Sequence, residues 1–219
     1  MNAGIFSLYW DNIDERVPYH QKKVFDHFKL PIQQHKINGM DHGEWIDWVL
    51  NRNEDLDTIV FFDIDAIPLD SKKVMDYITL SMGGTLVGNE QASNHLDASR
   101  LFAAPSFLSV NRRVWKMTGK KSCKAHYDGD VAQMLTDTWN YHKVPVKLLP
   151  VTDFEVAKWD LPNKPQCYGI GTTYDNATYH LFECRENINI ERFIKKCEGV
   201  LNEQLWKVCY GLHTAPKNP

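Results

Sequence analysis

The sequence predicts an α/β domain in which a mostly parallel sheet lies between two layers of helices. In the first half of the chain, apolar residues alternate between strand spacing and helix spacing, in the order strand, helix, strand. Residues 59–62 are apolar at consecutive positions, which is typical of a strand buried on both faces. Because strand–helix–strand connections are right-handed, this order makes neighbouring strands parallel. The 219 residues suffice for one domain with a sizeable core.

The elements of the first half each have a local signal. Pro18 suits the first turn of a helix, and Asp41 followed by Glu44 forms a capping box that begins another. Pro68 cannot continue a central strand, so the buried strand ends before it. The predicted strands cover residues 4–10, 32–37, 85–88 and the segment from 58 to the two aspartates, and the predicted helices cover 17–28, 71–80 and the segment after residue 41.

The second half is less regular. It predicts strands at residues 107–110 and 144–149, and helices at 114–117, 130–140 and 190–209. Residues 150–175 are rich in proline, glycine and aromatic residues, which favours long ordered loops. We expect one domain over residues 1–213 and a linker-like tail at 214–219 that can lead into further enzyme domains.

Composition excludes several classes of protein. The net charge of −3 and the absence of a basic run argue against nucleic-acid binding. Five cysteines without a Cys-x-x-Cys pair predict neither a disulfide framework nor a zinc site. The amino-terminal residues include no basic region and no long apolar segment, so we expect neither a signal peptide nor a membrane span there. We therefore expect a protein of a reducing compartment, the cytoplasm.

The strongest chemical signal is the pair Asp63 and Asp65 at the end of the buried strand. Because side chains alternate along a strand, the two carboxylates are expected to point to one side, with Ile64 turned outward between them. Open α/β sheets bind ligands at this end of their strands. Carboxylate pairs bind hard divalent cations such as Mn²⁺ or Mg²⁺, although a helix cap and a solvated loop residue could produce the same spacing.

His180 is a candidate third ligand. It follows a segment at residues 169–178 that is rich in glycine and threonine and suits close approach to phosphates. A lone histidine is more often a structural residue, so its proposed role depends on the two aspartates.

Further polar residues precede a helix or follow a strand. Asp128 and Asp130 come before the helix at 130–140, where acidic residues can act as caps, as ligand contacts or as both. Asn89, Glu90 and Gln91 follow the strand at 85–88 and could line an acceptor pocket or form a solvated turn.

The end of the first strand is a candidate site for a nucleotide base. Ser7, Leu8, Tyr9 and Trp10 end this strand. An exposed aromatic ring there could stack on the base, and core packing is the alternative, more so for Trp10 than for Tyr9.

These motifs resemble the nucleotide-sugar glycosyltransferases of the GT-A fold. Their metal-binding Asp-x-Asp follows a buried strand, as Phe-Asp-Ile-Asp does at residues 62–65. The chain is similar to the retaining family-8, or glycogenin-like, group in its Asp-Gly-Asp at 128–130 and in the apolar context of the histidine at 179–182. It also resembles glycosyltransferase domains with which chlorella viruses build capsid glycans.

The resemblance implies a GT-A domain, a UDP-sugar donor with a glucose- or L-rhamnose-type hexose, a glycan acceptor and Mn²⁺, in a viral protein of the host cytoplasm. Asp63, Asp65 and His180 would hold the metal ion, and residues 7–9 and 63–65 would contact the nucleotide sugar. Asp128 and Asp130 would orient the sugar. Asp130 would be the general base of an inverting enzyme, whereas the resemblance favours retention. Gly129 departs from the family, which has an amide residue there.

Two other functions are compatible with the sequence. A phosphatase that uses the first aspartate of an Asp-x-Asp as its nucleophile would have the motif on its first strand, and the chain has Met134 where a later aspartate is needed. A module that binds nucleotide sugars without turnover would keep the same residues.

Overall fold

The computed structural model describes residues 2–93, 97–162 and 167–210. Its helices are α1 (Arg16–His27), α2 (His42–Arg52), α3 (Ser71–Met82), α4 (Arg112–Met117), α5 (Gln133–Tyr141) and α6 (Asn187–Tyr210). Its strands are β1 (Ala3–Tyr9), β2 (Ile32–Lys36), β3 (Thr58–Phe62), β4 (Ala66–Pro68), β5 (Leu86–Ser93), β6 (Asp97–Asn111), β7 (Val146–Leu149), β8 (Val151–Asp160), β9 (Cys167–Tyr174) and β10 (Thr178–Leu181). The tail predicted at 214–219 lies outside the described residues.

The central sheet has six strands in the order β2-β1-β3-β6-β5-β7. β1 pairs in parallel with β2 and β3, and β5 pairs in parallel with β7. Only β6 runs against the others, because it pairs antiparallel with both β3 and β5. The predicted α/β fold with a mixed, mostly parallel sheet flanked by helices is confirmed.

β3 is the buried strand that the apolar run predicts. All five of its residues are buried, and its side chains alternate between two apolar clusters. Val60 and Phe62 pack with α1 and α3 on one face, whereas Ile59 and Phe61 pack with α2, α4 and α5 on the other. Helices therefore cover both faces of the sheet at its centre.

The capping box at the start of α2 is present in part. The Asp41 side chain accepts a hydrogen bond from the Glu44 N–H (3.0 Å), which satisfies one of the free donors at the helix start. Behind this cap, the four apolar residues of the stripe are all fully buried: Trp45, Ile46, Val49 and Leu50.

The prediction of long loops at 150–175 is wrong, because β8 and β9 of a second sheet lie in this part of the chain. The four strands of this sheet have the order β4-β10-β9-β8. The glycines that suggested loops are strand residues at places of close contact: a Cβ atom on Gly169 would lie 2.3 Å from the Glu155 carbonyl oxygen of β8. Local composition cannot separate this use of glycine from a turn.

Within the described residues, no helix is both long and apolar enough to cross a membrane.

Candidate functional site

A cleft of about 700 Å³ opens at the carboxyl ends of β1 and β3. Residues 8–10, 12 and 13, the turn 63–65, residues 130 and 131, and the segment 182–186 contribute most of its wall. Its volume is in the range of pockets that bind small ligands and cofactors. Its position is the edge at which open α/β sheets bind ligands.

Three side chains of this wall form a cluster suited to a metal ion. Asp63, Asp65 and His180 each offer one ligand atom, and these atoms all lie within 4.8 Å of one another. His180 Nε2 is 3.3 Å from Asp65 Oδ1 and 3.5 Å from Asp63 Oδ2. Two carboxylates and one imidazole are a donor set that a divalent cation such as Mn²⁺ can use. The predicted proximity of the three residues is observed.

The two aspartate carboxylates lie close together for a reason other than the predicted one. β3 ends at Phe62, so Asp63 and Asp65 lie in the turn between β3 and β4 and not on a strand. Ile64, expected to turn outward, is 6% exposed and packs with α1, α6 and the second sheet, although it also borders the cleft. The explanation by strand alternation is wrong, because a turn brings the carboxylates together.

Gln21 of α1 fixes the backbone of this turn. Its Nε2 donates to the carbonyl oxygens of Asp63 (2.7 Å) and Ala66 (2.9 Å). Its Oε1 accepts from Ser7 Oγ (3.1 Å) and Gln34 Nε2 (2.9 Å). The side chain is fully buried, so α1 and β1 set the position of the aspartate turn. No local pattern in the sequence marks Gln21.

His180 reaches the aspartates through the register of β10. Residues 175–177 join β9 and β10, and Asp175 and Asn176 in this turn have φ values of 48° and 50°, both positive as in a type I′ turn. In the antiparallel pairing that follows, His180 lies opposite Ala66 of β4, just after the aspartate turn. The His180 ring packs against the Phe182 ring, with 4.0 Å between centroids.

Burial and the charges of the cluster together shift the pKa values of Asp63 and His180. Burial raises the pKa of Asp63, and Asp65 and Asp130 raise it further, although His42 and His180 act in the opposite direction. Burial alone would lower the pKa of His180, but its hydrogen bond to Asp65 and the charges of both aspartates outweigh burial, and this pKa is raised. The concentrated negative charge favours a bound cation, whether a proton or a metal ion.

His42 is a cleft residue that the sequence analysis missed. It is the first residue of α2, and its Nε2 lies 3.4 Å from Asp63 Oδ1. The available signal was its position directly after the cap Asp41, at the beginning of a helix that follows a strand of the central sheet.

Asp128 and Asp130 occupy different places. Asp130 lines the cleft, and Asp128 is not among the lining residues. The Asp128 carboxylate is 2.6 Å from His126 Nδ1 and 4.0 Å from an Arg100 nitrogen. The position of Asp128 therefore gives no support to its predicted contact with the sugar, whereas Asp130 remains available for one.

Asp130 lies before α5 and is not part of the helix. The helix begins at Gln133, later than predicted, because Ala132 has a left-handed φ of 64° that interrupts the helical backbone. Gln133 and Asp130 still bond reciprocally: Asp130 N–H donates to Gln133 Oε1, and Gln133 N–H donates to the Asp130 carbonyl, both at 3.0 Å. The Asp130 carboxylate accepts from the Val131 N–H (2.7 Å), so its position is fixed locally.

The structure explains the glycine at position 129. A Cβ atom there would lie 2.4 Å from His126 Nε2. The backbones of His126 and Gly129 also pair with each other, at 2.9 and 3.3 Å. The His126 ring therefore occupies the space that a side chain at 129 needs.

The end of β1 reaches the cleft only in part. Leu8, Tyr9 and Trp10 line it. Ser7, predicted to contact the nucleotide sugar, is fully buried and donates its hydroxyl to Gln21. Ser7 is therefore a core residue, and its predicted contact is not possible in this conformation.

The predicted acceptor residues lie within β5 and do not follow it. Asn89 is fully buried, donating to Ser106 Oγ (3.1 Å) and accepting from Thr178 Oγ1 (2.8 Å). Glu90 is 4% exposed, and Gln91 lines the cleft. Asn89 thus joins the two sheets, and only Gln91 is placed to meet a ligand.

Arg185 is a further cleft residue that the sequence analysis missed. Among the described residues that line the cleft, it is the only lysine or arginine. Its guanidinium carbon lies 5.8 Å from the centre of the Trp10 ring, within the range of a cation–π contact. It stands five residues after His180, so the turn that follows β10 brings it to the cleft.

No protein-family model and no curated protein sequence matches the chain. Solved structures do match. One is the catalytic domain of Drosophila β1,4-galactosyltransferase 7 in complex with xylobiose, at 14% identity and a TM-score of 0.47, over 83% of this chain and 71% of that one.

A mutant of the same Drosophila enzyme, in complex with manganese, UDP-Gal and xylobiose, matches at 13% identity and a TM-score of 0.48, over 84% of this chain and 71% of that one. Protein A197 from STIV matches at 13% identity and a TM-score of 0.45, over 83% of this chain and 94% of that one. All three TM-scores are below 0.5.

Proposed function

We propose that the protein is a metal-dependent glycosyltransferase that moves a hexose from a UDP-sugar to a glycan acceptor. The observation that carries the proposal is the cluster of Asp63, Asp65 and His180 in the wall of a cleft of about 700 Å³. Two carboxylates concentrate negative charge beside a buried imidazole at the ligand-binding edge of an α/β sheet. A divalent cation that also binds a diphosphate suits this arrangement.

Each part of the cleft wall would have its own task. When bound, the metal ion would neutralise the charge that develops on the departing diphosphate. Arg185 would add a positive charge from the turn that follows β10, and it is the only arginine or lysine among the described lining residues. Tyr9 and Trp10 would present aromatic surface to the uracil. Asp130 would accept hydrogen bonds from sugar hydroxyls.

The finer assignment rests on the sequence resemblance. We propose a family-8-like domain of a viral capsid-glycan protein in the host cytoplasm, with a glucose- or L-rhamnose-type donor and retention of configuration. In that family an amide residue lies beneath the donor sugar. The corresponding residue of this chain is Gly129, which lies next to the His126 ring. An inverting enzyme would need a general base within reach of the acceptor hydroxyl, and Asp130 is the cleft carboxylate available for it. The anomeric configuration of the product, measured by NMR, separates the two outcomes.

Calorimetry of Mn²⁺ and of UDP, each with and without the other, tests the central proposal. We expect UDP to bind with Mn²⁺ and much more weakly without it. Asp65→Asn should weaken Mn²⁺ binding by more than about tenfold, because loss of a ligand costs at least as much as loss of a supporting contact. Asp55→Asn is the matched control, since Asp55 is exposed. A UDP affinity that is the same with and without Mn²⁺ would refute the proposal.

The rival functions predict other results. Hydrolysis of a simple phosphate ester without nucleotide would identify a phosphatase. UDP binding without hydrolysis or transfer from any UDP-sugar would identify a binding module.

A further inference from the structure

We propose that His42 is a positioning residue for the metal site, which holds the Asp63 carboxylate so that its other oxygen faces the ion. This inference rests on the metal-binding part of the proposed function. It concerns a residue outside the cluster: among the described residues, Asp63, Asp65 and His180 are the group whose ligand atoms all lie within 4.8 Å of one another.

The two oxygens of Asp63 face two different imidazoles. Oδ1 is 3.4 Å from His42 Nε2, and Oδ2 is 3.5 Å from His180 Nε2. His180 in turn contacts Asp65 at 3.3 Å. A metal ion among the three ligands would therefore use Oδ2 of Asp63, and His42 would stay in contact with Oδ1.

The fold fixes the place of His42 independently of the aspartate. Its ring packs against the Trp45 ring, with 5.8 Å between centroids and an angle of 34°. Trp45 is fully buried, donates its indole N–H to His35 Nδ1 (3.0 Å) and packs on Phe61 at 5.3 Å between centroids. His42 thus packs against a fully buried core residue. A residue that orients another side chain needs to be held by packing of this kind.

The contact has a clear task in this site. Asp63 and Asp65 repel each other as ions, and a carboxylate can turn about its last side-chain bond. An N–H of His42 directed at Oδ1 would favour the orientation that leaves Oδ2 toward His180. Gln21 holds the backbone of Asp63 through its carbonyl oxygen, so α1 fixes the main chain and α2 fixes the side chain.

The test is the Mn²⁺ affinity of the nucleotide-free protein, measured from the electron paramagnetic resonance signal of free Mn²⁺. His42→Phe keeps a ring against Trp45 and removes the donor, and it should weaken binding by about 10- to 100-fold, as loss of outer contacts does at other metal sites. His42→Gln can restore an N–H near the position of Nε2, and should recover most of the affinity that His42→Phe loses. His142→Ala, at an exposed histidine, is the control.

The possible results separate this inference from the proposed function. If wild-type protein binds Mn²⁺ but transfers no sugar, the proposed function fails and the His42 comparison stands. If His42→Phe is folded by circular dichroism and binds Mn²⁺ like the wild type, the inference is overturned. Unchanged Mn²⁺ affinity with weakened UDP binding would also overturn it, because His42 would then contact the nucleotide directly. Failure of His42→Gln to restore affinity would count against a hydrogen-bonding role.

Discussion

Replacement of Gln21 by leucine should destabilise the protein because it removes the support of the aspartate turn. The amide makes four hydrogen bonds, two to the carbonyl oxygens of Asp63 and Ala66 and two from Ser7 and Gln34. A net hydrogen bond contributes about 1 kcal/mol, and a buried group left without a partner costs about 1–3 kcal/mol.

Two of the four partners keep another contact. The Asp63 carbonyl still accepts from the Ala66 N–H (3.0 Å), and Gln34 still donates to the Pro18 carbonyl (2.8 Å). We therefore expect Gln21→Leu to lower the free energy of unfolding by about 3 kcal/mol.

Urea unfolding of wild type, Gln21→Leu and Gln33→Leu measures this effect. Gln33 is exposed on β2, so its replacement should change the free energy of unfolding by less than about 0.5 kcal/mol. The folded fraction of Gln21→Leu should also bind Mn²⁺ more weakly, since the turn that carries Asp63 and Asp65 is less fixed. A loss below about 1 kcal/mol would refute the reasoning, because it would mean that water replaces Gln21 at little cost.

Three further predictions concern the surroundings of the cleft. Gly129→Ala should lower the free energy of unfolding by about 1–3 kcal/mol through the contact with His126, and adding His126→Ala should recover most of this loss. An equal loss in the single and the double variant would show that the contact is not the cause. Asn89→Leu should cost about 1–3 kcal/mol in urea unfolding and leave the KM for the acceptor unchanged, whereas a raised KM would restore Asn89 to the acceptor site. Burial lowers the pKa of His35 below 6.5, and its Nδ1 accepts from Trp45. The folded state therefore binds fewer protons, so stability should fall as the pH drops below 6.5, and this fall should be smaller in His35→Phe; equal pH profiles would contradict it.

Much of the fold could be predicted because its signals are local. The buried run of β3, the cap of α2 and the order of strands and helices each depend on residues close in sequence. The place of β6 could not be predicted, since an antiparallel strand inserted between β3 and β5 is a long-range pairing. The same holds for β8 and β9, whose glycines resemble those of loops until the neighbouring backbone is known.

The candidate site divides in the same way. Asp63 and Asp65 could be found because the end of a buried strand is visible in the sequence. Ser7 and Asn89 are polar residues near strand ends, which suggested ligand contacts. Both are bonded in the core, to Gln21 of α1 and to Thr178 of β10, and such distant partners leave no pattern in one sequence. His42 was missed because it belongs to a helix start and not to a strand end.

The three-residue turn between β9 and β10 (residues 175–177) has a consequence for how this site tolerates change in length. Side chains of a strand alternate between its faces, so a shift of one residue exchanges the two sets. Tyr179 now packs in the apolar cluster with α1 and α6, and its neighbour His180 faces the aspartates. One residue inserted at Asp175 or Asn176, with the pairing of β10 shifted accordingly, would turn a phenol toward the carboxylates and an imidazole toward the apolar cluster. The length of this hairpin is therefore as much a determinant of the ligand set as the identity of residue 180.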